Sequence, residues 1–421
     1  YTLFEGTPMK KFTSATLALL CMTAGFQAQA LTASETIMEQ FIDARDGSTI
    51  TLPEGRFEFN QTLSISANNV TIRGAGMDKT ILSFKGQNTG NGIDATGKKL
   101  TFENFAIIDS RADGLKIQNC EDLTIRRVSV DWSGPPKETN GGYGLYPVAC
   151  KRILVEHSYV RGASDSGLYV GQTEDIVLRH NRVTENVAGI EIENSIRADV
   201  YSNEAYGNTG GILVFSMPDL PVIQNGAGTR VFNNRIHDNN TANFAGKGNI
   251  VGLVPAGTGI MILANRDVEV FGNTIENNQS ASVIVTSFYA AERPIKDPNY
   301  EAQARNTYIH DNVMRNAGYQ PAGIVEEIRD GAGWAGVKFL KMPHVLHDGI
   351  KAGKIQDISE LKLCFRNNTL SEPSEAFANL DLENSGIFKA LFRWWKPRAY
   401  AEIPPAFVCT LPALPAVTAV Q

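Results

Sequence analysis

Short runs in which apolar and polar residues alternate recur along the chain at a nearly fixed interval. A glycine followed by an aliphatic residue opens such a run at Gly92, Gly114, Gly144, Gly167, Gly189, Gly211 and Gly259, and Ala281-Ser282-Val283 continues the series. Most intervals are 22 or 23 residues; the exceptions, 30 before Gly144 and 48 before Gly259, read as one repeat plus an insertion. A second alternating run follows within each repeat, as in Leu123-Thr124-Ile125, Ile153-Leu154-Val155, Ile176-Val177-Leu178 and Val268-Glu269-Val270. Period two is the strand pattern. A unit this short cannot bury its apolar face alone, so the pattern predicts coils stacked about 4.8 Å apart around one continuous core.

Asparagines mark the corners. Asn181, Asn203, Asn234, Asn273, Asn312 and Asn368 follow the second strand, and Asn186, Asn208, Asn239 and Asn278 come five residues after the first four. These are expected to form two turn ladders, because Asn tolerates the left-handed backbone of a tight corner and its amide bonds to the equivalent amide one coil away. The fold class is then all-β: a single-stranded right-handed parallel β-helix. Thr32 with Glu35 makes a capping box, and Met38, Phe41 and Ile42 form an apolar stripe, which predicts a short helix over 32–44 that plugs the open end. Coils are expected over 31–316, followed over 317–421 by a long insertion, the last coil and a C-terminal capping tail. The aromatic and basic stretch Phe388 to Lys396 is read as part of that cap; contact with a membrane surface or a partner is the other reading.

The stretch Ile50-Thr51-Leu52-Pro53-Glu54-Gly55, followed by Val70-Thr71-Ile72-Arg73-Gly74, resembles the N-terminal strands of the pectin-lyase-like superfamily of right-handed β-helices. A closer resemblance rests on Asn239-Asn240-Thr241-Ala242-Asn243-Phe244-Ala245, Val254-Pro255-Ala256-Gly257-Thr258-Gly259, His347-Asp348-Gly349-Ile350 and Cys409-Thr410-Leu411-Pro412. These are similar to an exported parallel β-helix repeat family of unassigned activity. The resemblance implies export and a companion exported protein as a partner.

Residues Met9 to Ala30 read as a secretory signal peptide, with Lys10 and Lys11 before the apolar run Leu17 to Leu20 and Ala28-Gln29-Ala30 at the cleavage site. Tyr1 to Pro8 read as lying upstream of a start at Met9, so 1–30 is set aside from the fold. A periplasmic or secreted product is expected, with no transmembrane segment in the remainder. The formal net charge of −6 carries no basic footprint, which argues against a nucleic-acid partner. In an exported chain, Cys120, Cys150, Cys364 and Cys409 favour two disulfides. Cys120 and Cys150 each stand six residues after their glycine and should stack on neighbouring coils, leaving Cys364 to pair with Cys409; unpaired buried thiols are the alternative.

In each glycine-led strand the first and third residues after the glycine should point inward, leaving the second and fourth outside. The second-position column reads Asp94, Lys116, Tyr146, Tyr169, Glu191, Leu213, Met261, Val283, and the fourth-position column reads Thr96, Gln118, Val148, Gly171, Glu193, Phe215, Leu263, Val285. The face is polar early and apolar late. Such a long apolar face should be covered, by the insertions around 217–228 and 240–258, the tail or a partner. Lys116, Tyr146, Tyr169, Glu191 and Glu193 then form the candidate surface, offering a cation, aromatic platforms and two carboxylates to a carbohydrate lying along the coils. Chemistry beside a uronate carboxylate needs a base, a proton donor and a cation, and these residue types supply all three. The competing reading is a solvated sheet face without a catalytic task.

The D-P-H-D motif of mannuronan epimerases is missing: the corresponding stretches read Gly144-Leu145-Tyr146-Pro147-Val148-Ala149 and Gly189-Ile190-Glu191-Ile192-Glu193-Asn194. His157 and His180, and the pairs His237-Asp238 and His310-Asp311, fall at corners and read as structural. His344, His347 and Asp348 lack a diagnostic metal spacing, so no metal or cofactor is assigned. Arg126, Glu156, Arg179 and Tyr201 share an outward column whose charges should alternate. Two functions follow as expectations: a polysaccharide-binding or polysaccharide-modifying protein, with uronate chains as the natural substrates, or a non-catalytic envelope scaffold that docks the companion protein. The first should leave an open groove past Tyr146, Tyr169 and Glu191, the second an apolar patch near Leu213, Phe215 and Met261.

Overall fold

The computed structural model describes residues 32–351, 355, 357–371, 375–385 and 395–418. The expected leader and most of the 388–396 stretch lie outside the described residues.

The chain winds into a right-handed parallel β-helix. Three strands per coil stack into three parallel sheets, each strand bonded to its equivalent in the coils before and after. In the first sheet Ala188–Glu193 pairs with Ser166–Gly171 on one side and Gly210–Phe215 on the other. In the second, Ile196–Tyr201 lies between Glu174–Arg179 and Ala227–Phe232. In the third, Glu204–Tyr206 lies between Arg182–Thr184 and Arg235–His237. The aliphatic residues directly after the glycines, Ile93, Leu115, Leu145, Leu168, Ile190, Ile212 and Ile260, form one inward column and are all fully buried. Each contributes roughly 1.5–3 kcal/mol on leaving water. The glycines are needed for close approach: a Cβ on Gly189 would sit 2.5 Å from the carbonyl oxygen of Gly211 in the next coil.

The last step of the column differs from the expected register. Met261 pairs with Ile284 and Leu263 with Thr286, so Val283 and Val285 point into the core. Ser282 stands where a glycine would, one residue later than the periodic count, and its hydroxyl meets Nδ1 of His344 at 3.0 Å. The ladders also continue past residue 316: Val345–His347, Leu363–Arg366 and Phe377–Asn379 extend the first and second sheets.

Both asparagine ladders form. Asn181 Nδ2 donates to Asn203 Oδ1 at 3.0 Å, Asn203 to Asn234 at 3.0 Å, and Asn186 to Asn208 at 2.9 Å. The left-handed residue, however, is the one before each ladder asparagine: His180, Ser202 and Asn233 have φ of 56°, 53° and 53°. The corner needs a left-handed residue followed by an extended one whose side chain turns inward. Asn holds the second place because its amide bonds along the stack, and the left-handed place is filled by several residue types.

Helix α1 (Ala33–Ile42) carries the expected capping box between Thr32 and Glu35. It buries Ile37 and Phe41 against the first coils, whereas Ile42, expected on the apolar stripe, is 73% exposed. Disulfides join Cys120 to Cys150 and Cys364 to Cys409, with Cα atoms 4.4 and 4.9 Å apart. The Arg126–Glu156–Arg179 column pairs as expected, Glu156 accepting from both arginines at 2.5 and 2.7 Å. Trp395 is buried against helix α2 (Ile324–Trp334) and donates from its indole nitrogen to the carbonyl of Leu380. Among the described residues no helix is long and apolar enough to cross a membrane.

Candidate functional site

The outward column of the first sheet runs in register from Ser64 through Asp94, Lys116 and Tyr146. Beside it run Ser66, Thr96 and Gln118. With the end of α1 as a wall at Phe41 and Ile42, Ser64, Ser66, Asp94, Thr96, Lys116 and Gln118 line an open trough of about 440 Å³ with a mixed polar and apolar surface. Lys116 Nζ stands 5.1 Å from the centre of the Tyr146 ring. The trough runs up to a cluster of three tyrosines. Tyr143, Tyr146 and Tyr169 have ring centres 4.4, 4.8 and 5.0 Å apart.

Tyr169, Glu191 and Glu193 hold the expected register, but the surface past Tyr146 is not open. Tyr169 is 5% and Glu191 1% exposed, and Glu193 is partly buried. The insertion at 240–258, expected over the later coils, also folds back over this region. Asn249 Nδ2 donates to Asp165 Oδ2 at 3.0 Å, and Val251 and Val254 pack with Val187 and Ala188.

Beneath that cover lies a group of carboxyls. Ser166 Oγ is within hydrogen-bond reach of Asp165 Oδ1, at 3.1 Å, and of Glu191 Oε2. Tyr169 donates its phenolic hydrogen to Glu193 Oε1 at 2.7 Å. That contact depends on Gly171: a Cβ there would lie 2.2 Å from the Tyr169 hydroxyl. Asp113, at the start of its coil, accepts from the backbone of Tyr143 at 3.2 Å.

Burial governs the proton affinities. Desolvation lifts Asp113 and Asp165 to about 6 and Glu193 to about 7, and drives Glu191 well above the usual carboxyl range, with Glu193 and Asp165 adding like-charge repulsion. Burial, with the neighbouring carboxylates, raises Tyr146 to about 12 and pushes Tyr143 and Tyr169 further up. The phenols therefore stay neutral at physiological pH and keep their hydrogens for donation, while burial brings Asp113, Asp165 and Glu193 to exchange protons near neutrality.

A stability prediction follows. Folded-state proton affinities above the unfolded values stabilise below about pH 4, and that contribution is lost as pH rises through about 6 to 7. Glu193→Gln removes one such group, so its denaturation midpoint relative to the parent should rise at pH 8 by more than at pH 5. Parallel urea titrations check this, and equal shifts at both pH values would contradict it.

Sequence reasoning missed Tyr143, Asp113, Asp165, Ser166 and Asn249. The available signal was position: Asp113 and Tyr143 directly precede Gly114 and Gly144, as Ser166 precedes Gly167, and the corner turns all three toward the outward column.

The late columns are covered by the chain itself. Leu213 and Phe215 are buried by the 240–258 insertion and by Phe288 and Tyr300, a second cover not evident from the repeat. Helix α2 closes over Ile284. Between the covers remains an apolar cavity of about 330 Å³, lined in part by Leu253, Met261, Leu263, Ile284 and Ile324. The two expected outcomes are thus both modified: the trough stops at Tyr146, and Leu213 and Phe215 offer no exposed patch.

His157 and His180 stack with ring centres 4.9 Å apart, and Nδ1 of His237 and of His310 bonds the following aspartate at 2.7 and 2.6 Å. Asp348 is buried and accepts from the backbone and hydroxyl of Ser287 at 2.7 and 2.6 Å.

The sequence profile of a family described as right handed beta helix region matches residues 57–227. No curated protein matches the chain by sequence. Among solved structures, the A-module of mannuronan C-5 epimerase AlgE4 of Azotobacter vinelandii is similar at 16% identity and a TM-score of 0.52, covering 82% of this chain and 94% of that one. The DFA-IIIase of Arthrobacter chlorophenolicus A6, solved in complex with GF2, is similar at 10% identity and a TM-score of 0.51, covering 82% and 87%. These likenesses establish the right-handed β-helix fold expected from the pectin-lyase-like resemblance.

Proposed function

We propose that this chain is an exported protein that binds or modifies a polysaccharide lying along the outward column from Ser64 to Tyr146, with a uronate-containing chain as the preferred ligand. One observation carries the reading: the trough holds Lys116 beside a tyrosine platform, and next to both lies Asp113, whose proton affinity burial lifts to about 6. The trough volume falls in the range of ligand sites. Lys116 supplies the cation for a uronate carboxylate, Asp113 a base largely ionised at pH 7, and Glu193 with Tyr169, reached only when the 240–258 cover lifts from them, a proton donor, the set that lyase-like or epimerase-like chemistry requires. The fold shared with a mannuronan epimerase module agrees with this, and the two disulfides agree with an oxidising compartment.

The test is binding and turnover across a panel of uronate and neutral polysaccharides, with Lys116→Ala and Tyr146→Ala as probes. Each substitution should weaken binding of a recognised uronate polymer about tenfold, about 1.4 kcal/mol, and Lys116→Ala should leave any neutral polymer unaffected. If no polymer binds, or if binding ignores both substitutions, the proposal fails.

A further inference from the structure

The outer face of the second sheet carries a column that the glycan reading does not use. In successive coils it reads Asp199, Arg230, Glu269, Tyr308 and Cys364. The C-terminal segment lies across it. Cys409 is tied to Cys364, Leu414 N–H donates to Glu269 Oε2 at 2.9 Å, and Val417 N–H donates to Asp199 Oδ2 at 3.1 Å. The carboxylates are 4% exposed and each has a second partner: Asp199 accepts from Arg230 Nε at 2.7 Å, and Glu269 Oε1 meets His310 Nε2 at 3.1 Å.

The spacing is informative. Asp199 and Glu269 stand two coils apart, roughly 9.6 Å at about 4.8 Å per coil. The amides that reach them are three residues apart, and three residues of polyproline-II helix rise about 9.3 Å. A strand would turn alternate residues to the sheet, whereas here the two residues bonded to it are three apart. The sequence has the same period: Leu411-Pro412-Ala413, Leu414-Pro415-Ala416, Val417. Proline stands just after each triplet's first residue, where its locked φ suits this helix and its missing N–H is not needed.

We propose that this face is a docking groove for a polyproline-II segment with a proline every third residue, and that its resident occupant is the chain's own 411–418, bound in cis. The Cys364–Cys409 bridge delivers the segment to the start of the column, and carboxylates in alternate coils read its free amides. The occupied groove joins the coils from Asp199 to Cys364 across their outer edge, beyond the neighbour-to-neighbour contacts of the stack, so that these coils open together.

Hydrogen exchange on the full oxidised chain tests this. Ala413→Pro with Ala416→Pro keeps both donating amides and favours polyproline II, so protection of Leu414 and Val417 should be retained or increased. Glu269→Ala should speed exchange at Leu414, and Asp199→Ala at Val417, by about tenfold or more. Loss of protection in the double proline variant overturns the polyproline-II assignment, and this variant leaves the coils untouched should an acceptor variant fail to fold. Protection indifferent to both acceptors overturns the groove. Protection that varies with protein concentration assigns the occupant to a second copy and overturns binding in cis.

Discussion

Asn234→Ala is expected to lower the free energy of unfolding by roughly 3–6 kcal/mol, because it strands several buried polar groups at about 1–3 kcal/mol each. The Asn234 side chain accepts from the backbone N–H and the amide of Asn203 at 2.9 and 3.0 Å, and donates to Val200 O and Asn273 Oδ1 at 2.9 and 3.0 Å. Asn234 is 2% exposed, so water cannot replace these partners. Alanine leaves the Asn203 donors and the Val200 carbonyl unpaired in the interior. Asn368→Ala is the internal comparison. Asn368 accepts from Asn312 and donates to Ile309 O, but it is only partly buried near the end of the ladder, where water can enter. Its cost should be about 1 kcal/mol, the net value of a solvated bond. Urea unfolding of the two variants provides the check: equal losses would mean that the ladder follows the corner geometry without holding it.

The second large effect concerns turnover. Glu193→Gln is expected to reduce turnover of a responsive polysaccharide by about 10²–10⁴-fold, the usual contribution of a positioned proton-transfer group. The amide oxygen still accepts from the Tyr169 hydroxyl, so the geometry over Gly171 is kept while the exchangeable proton is lost. The parent should also lose activity as pH rises through about 7, where the Glu193 carboxyl gives up its proton, and the variant should lack that limb. Because the same substitution is expected to stabilise the fold at pH 8, a misfolded preparation cannot imitate the result. Unchanged turnover would remove Glu193 from the chemistry and leave the trough as a binding surface alone.

The coils, their register and the Cys120–Cys150 disulfide were legible in the chain because they obey equal offsets, and Cys364–Cys409 was the pair that remained. A residue six places after one glycine stacks on the residue six places after the next, which is why Cys120 met Cys150 and Tyr146 met Tyr169 despite an insertion. Periodicity failed first where the glycine was replaced: with Ser282 in its place, Val283 and Val285 went inward and Ile284 and Thr286 outward. Composition also misled at the corners, where the abundance of Asn suggested left-handed backbone but reflects amide bonds between coils.

The sequence by itself determined the repeating part of this protein: the stacked coils, the outward columns, the neighbours of Lys116, Tyr146, Tyr169, Glu191 and Glu193, and the ladders that hold the corners. Tertiary structure alone decided what lies over those columns. Asn249 reaches Asp165 across 84 residues, and the tail reaches Glu269 and Asp199 across 145 and 218. Contacts of that span leave no trace in a local period. The first of them nonetheless belongs to the cover that buries Tyr169, Glu191 and Asp165, and burial sets whether a carboxyl holds its proton near neutrality.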